Sequence, residues 1–446
     1  MKVAVIGAGI IGVTTAYELS ADGHQVTVFE RRGSVAAEAS FANAGIVAAT
    51  GVAPWSAGMP ATALGQMLRQ HAPLQYRGLP LGALPWAWRW WRACRSRTWQ
   101  ANQVRVQRLA HFSRERLHKL TDELKLDYER GDGHLVLLRS AKDLAGVRPG
   151  LDSLIESRTR FELLSAGRCR VVEPGLHPDT ELHAGIYLPD DEVGNCRQFS
   201  HLLRGEAQRR GARFRFHTDV QRIVGGPAPQ LVHRHAPPEE HNTLIVSAES
   251  APNDAQDTQP MTSQPITEGF DAVVVCAALG ATALLRPLGV KLPLRAVHGY
   301  SITAPLRHHE GRTDHGPRSA LTDARYRAAI SRLGARVRVA GGAEVGGSDA
   351  TQYAGSLAAL YTVLHDWFPG SAHLSQAQRW KGARPTLPDG PPVLGRSGID
   401  GVWVNLGHGA SGWALACGSA RLLADAIQGR PAAIDIEGLG VERLRV

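Results

Sequence analysis

The stretch VAVIGAGIIGVTTAYELSADGHQVTVFE at residues 3–30 decides the fold. A short β-branched run leads into three glycines, Gly7, Gly9 and Gly12. An Ala- and Leu-rich helical stretch follows, and a second strand then ends on Glu30. A strand, a glycine turn, a helix and a second strand in this order predict the first unit of a doubly wound sheet.

Each glycine of this turn has its own role in holding a dinucleotide. Gly7 permits the tight turn out of the strand, Gly9 lets the backbone approach a pyrophosphate, and Gly12 lets the helix pack close to the strand. The free N–H groups of the first helical turn, which includes Ile11, face the phosphate charge. Glu30 lies close to the roughly 20 residues beyond the glycines that are expected for an acid binding a ribose hydroxyl.

The same N-terminal residues also suit a second interpretation, a secretory signal peptide, because Met1 and Lys2 precede a mostly apolar stretch. That alternative leaves the glycine spacing and Glu30 unexplained, and cleavage would destroy the site that they form. We therefore favour a dinucleotide site.

The composition is that of an ordinary globular protein with a basic surface. The chain has 446 residues, 43% of them hydrophobic and 20% charged, which is enough for two or three domains or two interleaved ones. The net charge of +9 suits an anionic partner: an acidic cofactor, a carboxylate substrate or a lipid surface. Because there is no zinc spacing, aromatic RNA-binding motif or dense basic run, we expect no nucleic-acid partner.

The cysteines and histidines form no pattern typical of a metal or redox site. The five cysteines are scattered and form no C-x-x-C pair, and none of the 19 histidines lies in an H-E-x-x-H motif. We predict no bound metal, no disulfide framework, and thiols in a reducing cytoplasm. No window offers about 18 consecutive apolar residues, so no membrane-spanning helix is expected.

The central part of the chain predicts a mixture of elements. Small residues over 31–60 indicate loops. A Pro-, Gln-, Ser- and Asp-rich insert spans 225–269; it holds two strand-like pieces, QLVHR and TLIVSAE, and its second half is typical of a flexible loop. The other central segments are predicted as helix over 61–125, mixed strand and helix over 126–190, helix over 198–211 and strand over 213–224.

The last part of the chain repeats the pattern of the first. Residues 270–285 predict a buried strand, a turn and a helix, and residues 326–342 predict a hairpin with its turn near Gly334. Residues 401–430 predict a strand, a glycine-rich turn and a helix that ends at Gly429. Since ligands of a doubly wound sheet lie outside the carboxyl ends of its strands, both glycine turns can meet one cofactor.

The first glycine motif alone does not distinguish NAD from a flavin. A second turn, with Gly407, Gly409 and Gly412, opens the C-terminal helix and offers further backbone donors. A flavin needs such donors near its N1–C2=O edge, where negative charge accumulates on reduction, whereas an NAD enzyme needs no second cradle. The C-terminal turn therefore favours a flavin.

Two arginines beside Glu30 raise the alternative of NADP. Arg31 and Arg32 could meet a 2′-phosphate, but the carboxylate of Glu30 would repel it. NADP is therefore disfavoured, and Arg31 is counted with the residues that bind the flavin dinucleotide.

Read together with GAGIIG and Glu30, further motifs resemble the FAD-dependent D-amino acid dehydrogenase family, a branch of the D-amino acid oxidase and glycine oxidase superfamily. The similarity covers nearly the whole chain in order, although the 225–269 insert is longer than this family leads us to expect. The motifs are ASFANAG (39–45), APW (53–55), HGYS (298–301), YRAAISR (326–332), GARPTLPDGPPVLGR (382–396) and NLGHGASGWALACGS (405–419).

The resemblance implies a fold and a domain organisation. We expect an α/β protein in which a Rossmann-like FAD-binding domain is interleaved with a mixed α+β substrate domain that carries an antiparallel sheet. The FAD-binding domain comprises residues 1–60, 198–290 and 385–446, the substrate domain comprises 61–197 and 291–384, and the insert at 225–269 is partly flexible.

The resemblance also implies an activity and a cofactor site. A D-amino acid is oxidised to an imino acid, which water hydrolyses to a 2-oxo acid and ammonia, and electrons pass from FAD to a quinone or another membrane acceptor. The implied contacts are Ser40, Asn43, Ala44 and Gly45 along the isoalloxazine, Val220 near the adenine, Ala277 and Gly280 at the pyrophosphate, and Gly407 to Gly412 at the pyrimidine edge.

The chemistry of the substrate points to one arginine. Hydride transfer from Cα to the flavin N5 needs orientation and a free amine more than a strong acid or base. An amino-acid carboxylate calls for a forked, permanently charged donor, and Arg384 in the GARP motif is the candidate. The alternative for Arg384 is a surface ion pair.

Other side chains could complete the substrate site. Tyr300 and Tyr326 could donate phenolic hydrogen bonds to the same carboxylate, or could simply be core tyrosines. His408 in the C-terminal turn could face the substrate or merely orient the backbone. Arg332 and Glu344 are expected to be structural.

The segment PWAWRWWRACRSRTWQ at 85–100 holds five of the ten tryptophans, interleaved with arginines. The preferred interpretation is a helix that packs its indoles internally, and the alternative is contact with the inner face of the cell membrane.

Two rival functions remain open at this point. One is an oxygen-using oxidase of glycine, sarcosine or D-proline-type amines. The other is an electron-transfer subunit of a membrane-docked amine dehydrogenase complex.

Overall fold

The computed structural model describes residues 1–48, 74–78, 81–156, 159–236, 264–307, 316–348, 351 and 353–444. Two large sheets form the framework in this part of the chain, one mostly parallel and one mostly antiparallel. Helices pack against both sheets. This arrangement confirms the predicted α/β class with an antiparallel sheet.

The mostly parallel sheet has six strands, and its neighbours run parallel except at one edge, where the last two strands form an antiparallel pair. Its central strands are apolar on both faces, as expected for strands covered by helices. In chain order the strands are β1 (Lys2–Ile6), β2 (Gln25–Phe29), β8 (Arg213–Arg215), β12 (Ala272–Val275), β18 (Val393–Ile399) and β19 (Val402–Leu406), and their order in the sheet is β18-β19-β12-β1-β2-β8.

The second sheet has ten strands in the path β17-β13-β16-β15-β14-β5-β7-β3, with β4 beside β16 and β6 beside β7. Only the β14–β5 and β16–β4 pairs are parallel. These strands are β3 (Ile46–Val47), β4 (Leu74–Tyr76), β5 (Gly131–Leu138), β6 (Glu162–Ser165), β7 (Ala184–Val193), β13 (Arg295–Pro305), β14 (Ala320–Asp323), β15 (Ala328–Leu333), β16 (Arg336–Val345) and β17 (Gln378–Thr386).

A small antiparallel sheet shows where a predicted strand was wrong. Residues 213–224 form two strands, β8 and β9 (Thr218–Val224), which belong to different sheets. His217 between them has a φ of +50°, so the chain turns there although the apolar alternation continues on both sides. The other strands of the small sheet are β10 (Gln230–His235) and β11 (Ile266–Gly269).

The prediction for the 225–269 insert is tested only in part. The strand-like piece QLVHR lies in β10, as predicted. The second piece, TLIVSAE at 243–249, lies outside the described residues, as does the predicted flexible loop up to residue 263. The end of that predicted loop is wrong, because Ile266–Gly269 form the strand β11.

Nine α-helices lie within the described residues. The C-terminal helix ends as predicted, because Gly429 just beyond it has a φ of +71°. The helices are α1 (Ile10–Ala21), α2 (Leu84–Ala93), α3 (Ser96–Leu124), α4 (Ala141–Glu156), α5 (Ala166–Val172), α6 (Cys196–Arg209), α7 (Ala281–Leu285), α8 (Ala354–Trp367) and α9 (Gly412–Ile427).

The first and last helices pack against each other, and the last helix also packs against α3. The carboxylate of Glu18 on α1 is fully buried, and it accepts hydrogen bonds from Arg116 of α3 at 2.6 Å and Arg421 of α9 at 2.7 Å. Removal of one partner from a buried ion pair typically lowers the free energy of unfolding by roughly 3–5 kcal/mol, because the other charge is left buried and unpaired. This ion cluster therefore fixes both ends of the chain to one another.

Two further segments differ in detail from their predictions. The predicted helical region 61–125 contains a short strand, β4, which pairs with β16, and residues 61–73 and 79–80 lie outside the described residues. The predicted loop 31–60 contains the two-residue strand β3, and its residues 49–60, with the APW motif, also lie outside. The hairpin at 326–342 is confirmed, and Gly334 in its turn has a φ of +59°.

The strands of the six-stranded sheet come from 1–60, 198–290 and 385–446. Those of the ten-stranded sheet come from 61–197 and 291–384, together with β3 and the last two residues of β17, Pro385 and Thr386. The domain boundaries themselves stay a prediction. Among the helices of the described ranges, none has the length and apolar character needed to cross a membrane.

Candidate functional site

The first glycine turn leaves room for a ligand at one position and none at the other two. A Cβ at Gly7 would lie 2.7 Å from the carbonyl oxygen of Cys276, and one at Gly12 would lie 1.8 Å from that of Gly7. Of the atoms in the described residues, a Cβ at Gly9 would meet only the Ser40 hydroxyl, at 3.5 Å. Packing therefore requires glycine at 7 and 12, whereas Gly9 borders open space, which fits the approach of a pyrophosphate.

Glu30 lies at the end of β2, beside this turn. Its carboxylate accepts hydrogen bonds from the backbone N–H of Ala8 at 2.7 Å and of Arg32 at 2.8 Å. Burial raises the pKa of Glu30, although these hydrogen bonds oppose the effect. The structure thus brings the predicted ribose-binding acid to the glycine turn. Arg31 is engaged by the carboxylate of Glu38, and its contact with a cofactor stays a prediction.

The segment at 39–45 joins the N-terminus of α1 to the second sheet. Ser40 accepts a hydrogen bond from the backbone N–H of Ile10 at 3.1 Å. At its other end the carbonyl of Ala44 accepts one from Ser331 of β15 at 2.6 Å. The segment predicted to line the isoalloxazine therefore lies between the two large sheets.

The conformation of the same segment depends on Asn43 and Gly45. The side chain of Asn43 accepts a hydrogen bond from the N–H of Gly45 at 3.0 Å, and Gly45 has a φ of +77°. The buried guanidinium of Arg338 donates to the Asn43 carbonyl at 3.0 Å. This arginine was not predicted from the sequence, where it was one of many in a strand.

The turn after β12 lies next to the first glycine turn. Ala277 and Gly280, the predicted pyrophosphate contacts, flank Ala278, whose φ is +48°. Because β12 and β1 are parallel neighbours, both turns lie at the carboxyl edge of the sheet. Val220 lies on β9 and is buried with Phe29 in the adjoining apolar cluster, so its predicted adenine contact stays a prediction.

The C-terminal turn lies at the same edge, because β19 is the parallel neighbour of β12. Gly407 and Gly409 have φ values of +79° and +55°, and Gly412 begins α9. A Cβ at Gly407 would lie 2.4 Å from Leu387. The structure therefore brings together the two glycine turns from opposite ends of the chain, as the sequence predicted.

Arg384 on β17 faces a cavity beside the C-terminal turn. Its Nη1 donates to the carbonyl of Gly342 at 2.8 Å. Burial lowers the pKa of Arg384 to about 10, which leaves it charged at neutral pH, and no carboxylate of the described residues pairs with it. The alternative of a surface ion pair is therefore wrong for this part of the chain. The other residues lining the cavity include Val297, Ala343, Thr386, His408, Gly409 and Leu415.

Gly299 on β13 is a functional candidate that the sequence analysis missed. A Cβ there would lie 2.1 Å from Nη2 of Arg384 and 2.4 Å from its Cζ. The guanidinium therefore lies directly over the glycine. The available signal was a glycine inside a strand pattern, which marks the close approach of another group.

His408 is held inside the fold rather than presented as a charged group. Its Nε2 lies 3.1 Å from the hydroxyl of Ser419 on α9, and its backbone forms a bridge with Thr386. Burial lowers the pKa of His408 to about 3, so the ring is neutral at physiological pH. It cannot serve as a cationic carboxylate ligand, and its predicted catalytic role stays a prediction.

The structure does not bring the two predicted tyrosines to Arg384. The hydroxyl of Tyr300 donates to Glu344 at 2.6 Å, and Tyr300 and Tyr326 line a different cavity. The physical reason is strand parity, since Tyr300 and Arg384 point to opposite faces of their sheet. The prediction that Tyr300 donates a hydrogen bond to a carboxylate bound by Arg384 is therefore wrong.

Arg332 and Glu344 have structural surroundings, as expected. Arg332 donates to the carbonyls of Gly334 and Pro317. Glu344 is buried and accepts hydrogen bonds from Tyr300 and Lys381.

Two glycine turns at one edge of a parallel sheet define a dinucleotide-binding protein of the doubly wound class. Residues 2–426 match the protein family described as FAD dependent oxidoreductase. The chain belongs to this family, and FAD is its cofactor, as the sequence predicted. It is an oxidoreductase.

Individual relatives agree with this assignment. The chain is 39% identical to a D-amino acid dehydrogenase of Cereibacter sphaeroides, over 99% of this chain and 95% of that protein. It is 37% identical to a D-amino acid dehydrogenase of Bradyrhizobium diazoefficiens, over 99% of each. The glycine oxidase from Geobacillus kaustophilus superposes with a TM-score of 0.71 at 19% identity, over 99% of this chain and 98% of that one, and so shares the fold.

Proposed function

We propose that this protein is an FAD-dependent D-amino acid dehydrogenase, which oxidises a D-amino acid to an imino acid that water hydrolyses to a 2-oxo acid and ammonia. The observation that carries the proposal is Arg384, a half-buried cation that faces a cavity and whose guanidinium has, among the described residues, only the neutral carbonyl of Gly342 as a hydrogen-bond partner. A charge that is largely removed from water in this way is stabilised by an anionic ligand. The two bacterial relatives, both D-amino acid dehydrogenases, support a D-amino acid as that ligand.

The role of Arg384 follows from its geometry. A guanidinium can bind both oxygens of a carboxylate in a fork, and the carbonyl of Gly342 fixes one of its nitrogens. With the carboxylate held, the rest of the amino acid lies in the cavity between β17 and the 407–412 turn. The neutral ring of His408 in this wall adds no positive charge that would compete for the carboxylate.

The cofactor would be held by residues that the sequence identified. Bound FAD would supply the electron acceptor, taking a hydride from the substrate Cα at its N5. The glycine turn at 7–12 would meet the pyrophosphate, Glu30 the ribose, the segment 40–45 the ring system and the turn at 407–412 its pyrimidine edge. The amine needs to be unprotonated for this transfer, and no strong acid or base is required of the protein.

The test is an anaerobic titration of the purified holoenzyme with D-alanine and with L-alanine. We expect the visible flavin absorbance to fall with the D-isomer only. Bleaching by L-alanine alone, or by neither isomer and by no other D-amino acid, would refute the proposal.

Substitution of Arg384 tests the carboxylate site separately. Arg384→Ala should retain FAD and raise KM for D-alanine about 100-fold, because two charge-assisted hydrogen bonds are lost. Arg379→Ala is a matched control on the same strand, since this exposed arginine contacts Tyr361 outside the cavity. Equal KM values for the two variants would remove the assigned role.

We further propose that electrons leave the flavin for a quinone-type acceptor rather than for oxygen. The names of the relatives, which are dehydrogenases, support this. Turnover of D-alanine should depend on a quinone or an artificial dye and give little hydrogen peroxide. Stoichiometric peroxide without the dye would identify an oxidase, and a purified chain that needs added partner proteins to reduce the dye would identify an electron-transfer subunit.

The helix α2 supports contact with the inner face of the membrane, where such an acceptor is dissolved. Trp88 and Trp91 are each 50% exposed, and Leu84 is 60% exposed. The guanidinium of Arg92 lies 4.8 Å from the Trp88 ring. Exposed indoles beside basic groups suit the interface of an anionic bilayer. Trp86, by contrast, is buried. Some indoles of the segment 85–100 therefore pack inside the protein, and others face solvent.

A further inference from the structure

The acceptor that fixes Arg384 belongs to an irregularity in the sheet. On β13 and β16, His298 pairs with Glu344 and Tyr300 pairs with Gly341. One residue of β13, Gly299, therefore faces two residues of β16, which makes a β-bulge. Gly342 is one of these two, and its φ of +76° turns its carbonyl toward Nη1 of Arg384, 2.8 Å away.

The opposite face of the sheet carries a buried charged cluster directly behind this bulge. On β13 and β17, Val297 pairs with Arg384 and Tyr300 pairs with Lys381. Since side chains alternate between faces, Lys381 and Tyr300 lie on the face away from Arg384. Glu344, on the same side of the bulge as His298, joins them there.

The cluster, which consists of Tyr300, Glu344 and Lys381, ties three strands together. Nζ of Lys381 on β17 lies 2.9 Å from Oε1 of Glu344 on β16, and the hydroxyl of Tyr300 on β13 donates to Oε2 at 2.6 Å. The side chains of Glu344 and Lys381 are only 1% and 3% exposed. Lys381 also donates to the carbonyls of Ser348 and Thr351, at 2.7 Å each.

None of the three side chains lines the cavity that Arg384 faces, so their effect on a ligand has to pass through the backbone. The bulge could in principle form at a neighbouring residue, because a strand can shift its pairing by one residue when its side chains do not oppose the shift. Here the fixed contacts of Glu344 come only two residues after Gly342. They determine which residue of β16 occupies the bulge and where its carbonyl points.

We infer that Tyr300, Glu344 and Lys381 are positioning residues for Arg384: the cluster locks the β-bulge and thereby aims the Gly342 carbonyl that orients the guanidinium toward the substrate carboxylate. The inference rests on the proposed function of Arg384 as the carboxylate ligand. It gives the cluster a role in substrate affinity, in addition to any contribution to the stability of the sheet.

The test measures carboxylate binding by the full-length holoenzyme in two ways. One is KM and kcat for D-alanine with a dye acceptor. The other is the dissociation constant of propionate, which is D-alanine without its amine, read from the change in the flavin spectrum. Glu344→Gln and Lys381→Met should each raise KM and the propionate constant about tenfold, as expected when one charge-assisted hydrogen bond is misaligned, with kcat within a factor of about two.

A double variant and a matched control separate positioning from general destabilisation. The Glu344→Gln/Lys381→Met double variant should raise KM no more than either single change, because both break the same ion pair. Asp323→Asn is the control: this buried carboxylate lies on β14, separated from β13 by β16 and β15, and it accepts hydrogen bonds from Arg139 and Trp367 at 2.7 and 2.8 Å. It should lower the thermal midpoint and leave the propionate constant unchanged.

A milder variant keeps the inference testable if the charge changes prevent folding. Tyr300→Phe retains the ring and removes only the hydroxyl that donates to Glu344, and it should raise the propionate constant severalfold. Lys381→Arg keeps the charge and should restore most of the affinity lost in Lys381→Met. Wild-type KM and propionate binding in Glu344→Gln and Tyr300→Phe would overturn the inference.

The outcome for Arg384→Ala distinguishes this inference from the function on which it rests. If Arg384→Ala abolishes propionate binding while the cluster variants bind normally, only the inference fails. If Arg384→Ala itself binds propionate normally, the proposed carboxylate site fails.

Discussion

The hydroxyl of Ser40 accepts a hydrogen bond from the backbone N–H of Ile10 at 3.1 Å, although 30 residues separate them. Ile10 begins α1, so this bond fixes the segment 39–45 to the first turn of that helix. The N–H groups of a first helical turn have no acceptor within the helix. This bond of Ser40 therefore connects the turn that we propose binds the pyrophosphate to the segment that we propose lines the flavin ring.

The same serine makes Gly9 a clean test of cofactor binding. A Cβ at Gly9 meets only Ser40 at an ordinary contact distance of 3.5 Å, so Gly9→Ala should fold. Because the added methyl occupies the space next to the pyrophosphate, we expect affinity for FAD to fall about tenfold or more. Flavin absorbance per chain and the thermal midpoint measure the two effects. Gly12→Ala provides the contrast: its Cβ would collide with the Gly7 carbonyl, so this variant should have a lower thermal midpoint.

Substitution of Gly299 should affect the substrate and spare the cofactor. The Cβ of Gly299→Ala would lie 2.1 Å from Nη2 of Arg384 and would displace the guanidinium. KM for D-alanine should rise about tenfold or more with FAD content unchanged. Gly269→Ala, a strand glycine on β11 with open space around it, should have wild-type KM. A Gly299→Ala enzyme with normal KM would show that the close approach is unimportant.

The buried carboxyl of Glu173 should make stability depend on pH. Burial raises the pKa of Glu173 to about 7 from an ordinary value of 4.5, although the backbone N–H of Arg318 partly opposes this. The folded state therefore binds more protons than the unfolded state between these values, and stability falls as the pH rises through that window. Full stability from this group is present below pH 4.5 and is lost above pH 7.

Glu173→Gln should remove this dependence. Relative to wild type, the variant should gain up to about 3 kcal/mol of unfolding free energy between pH 4.5 and pH 8. Denaturant unfolding at a series of pH values measures it. The exposed Glu162→Gln serves as the control. Parallel pH profiles for wild type and Glu173→Gln would contradict the prediction.

The exposed indoles of α2 should contribute to membrane association. The double variant Trp88→Ala/Trp91→Ala removes two half-exposed rings, and it should bind anionic phospholipid vesicles more weakly in a co-sedimentation assay, by about tenfold. Leu163→Ala/Val171→Ala removes exposed apolar groups elsewhere and should bind as wild type does. Equal binding of both double variants would exclude this helix as the contact.

The parts of the site that could be predicted are those encoded by local sequence. The spacing of the three glycines at 7, 9 and 12 and of Glu30 predicts a strand, a turn, a helix and a second strand. This prediction needs only local sequence, because these elements follow one another directly in the chain. The turn at 407–412 is equally local. Since both turns follow parallel strands, their meeting at one sheet edge also follows from the general properties of such sheets.

The parts that could not be predicted depend on pairing between distant strands. The closeness of Gly299 to Arg384, and the position of Tyr300 on the other face, follow from the register of β13 on β17. A shift of one residue would reverse both faces. The bulge at Gly342 also shifts the pairing of β16 by one residue. The adjacent glycines 341 and 342 interrupt the strand pattern of β16, but they do not show which residue is the extra one. The turn at His217 was equally hard to predict. The chain passes there from one sheet to another, but the apolar alternation of the sequence continues on both sides.

The contact between the first and last helices has a consequence for synthesis of the chain. Glu18 on α1 reaches its partner Arg421 across 403 residues, and the second glycine turn precedes that arginine by only a few. As the protein emerges from the ribosome, the nucleotide-binding unit at 3–30 is made before its sheet neighbours β8 and β12 and before α9, which packs against its helix α1. The two glycine turns can meet at one sheet edge only once residues 401–427 have been made. We therefore expect FAD to be inserted after α9 has been translated, and a chain released before that point to lack the second glycine turn.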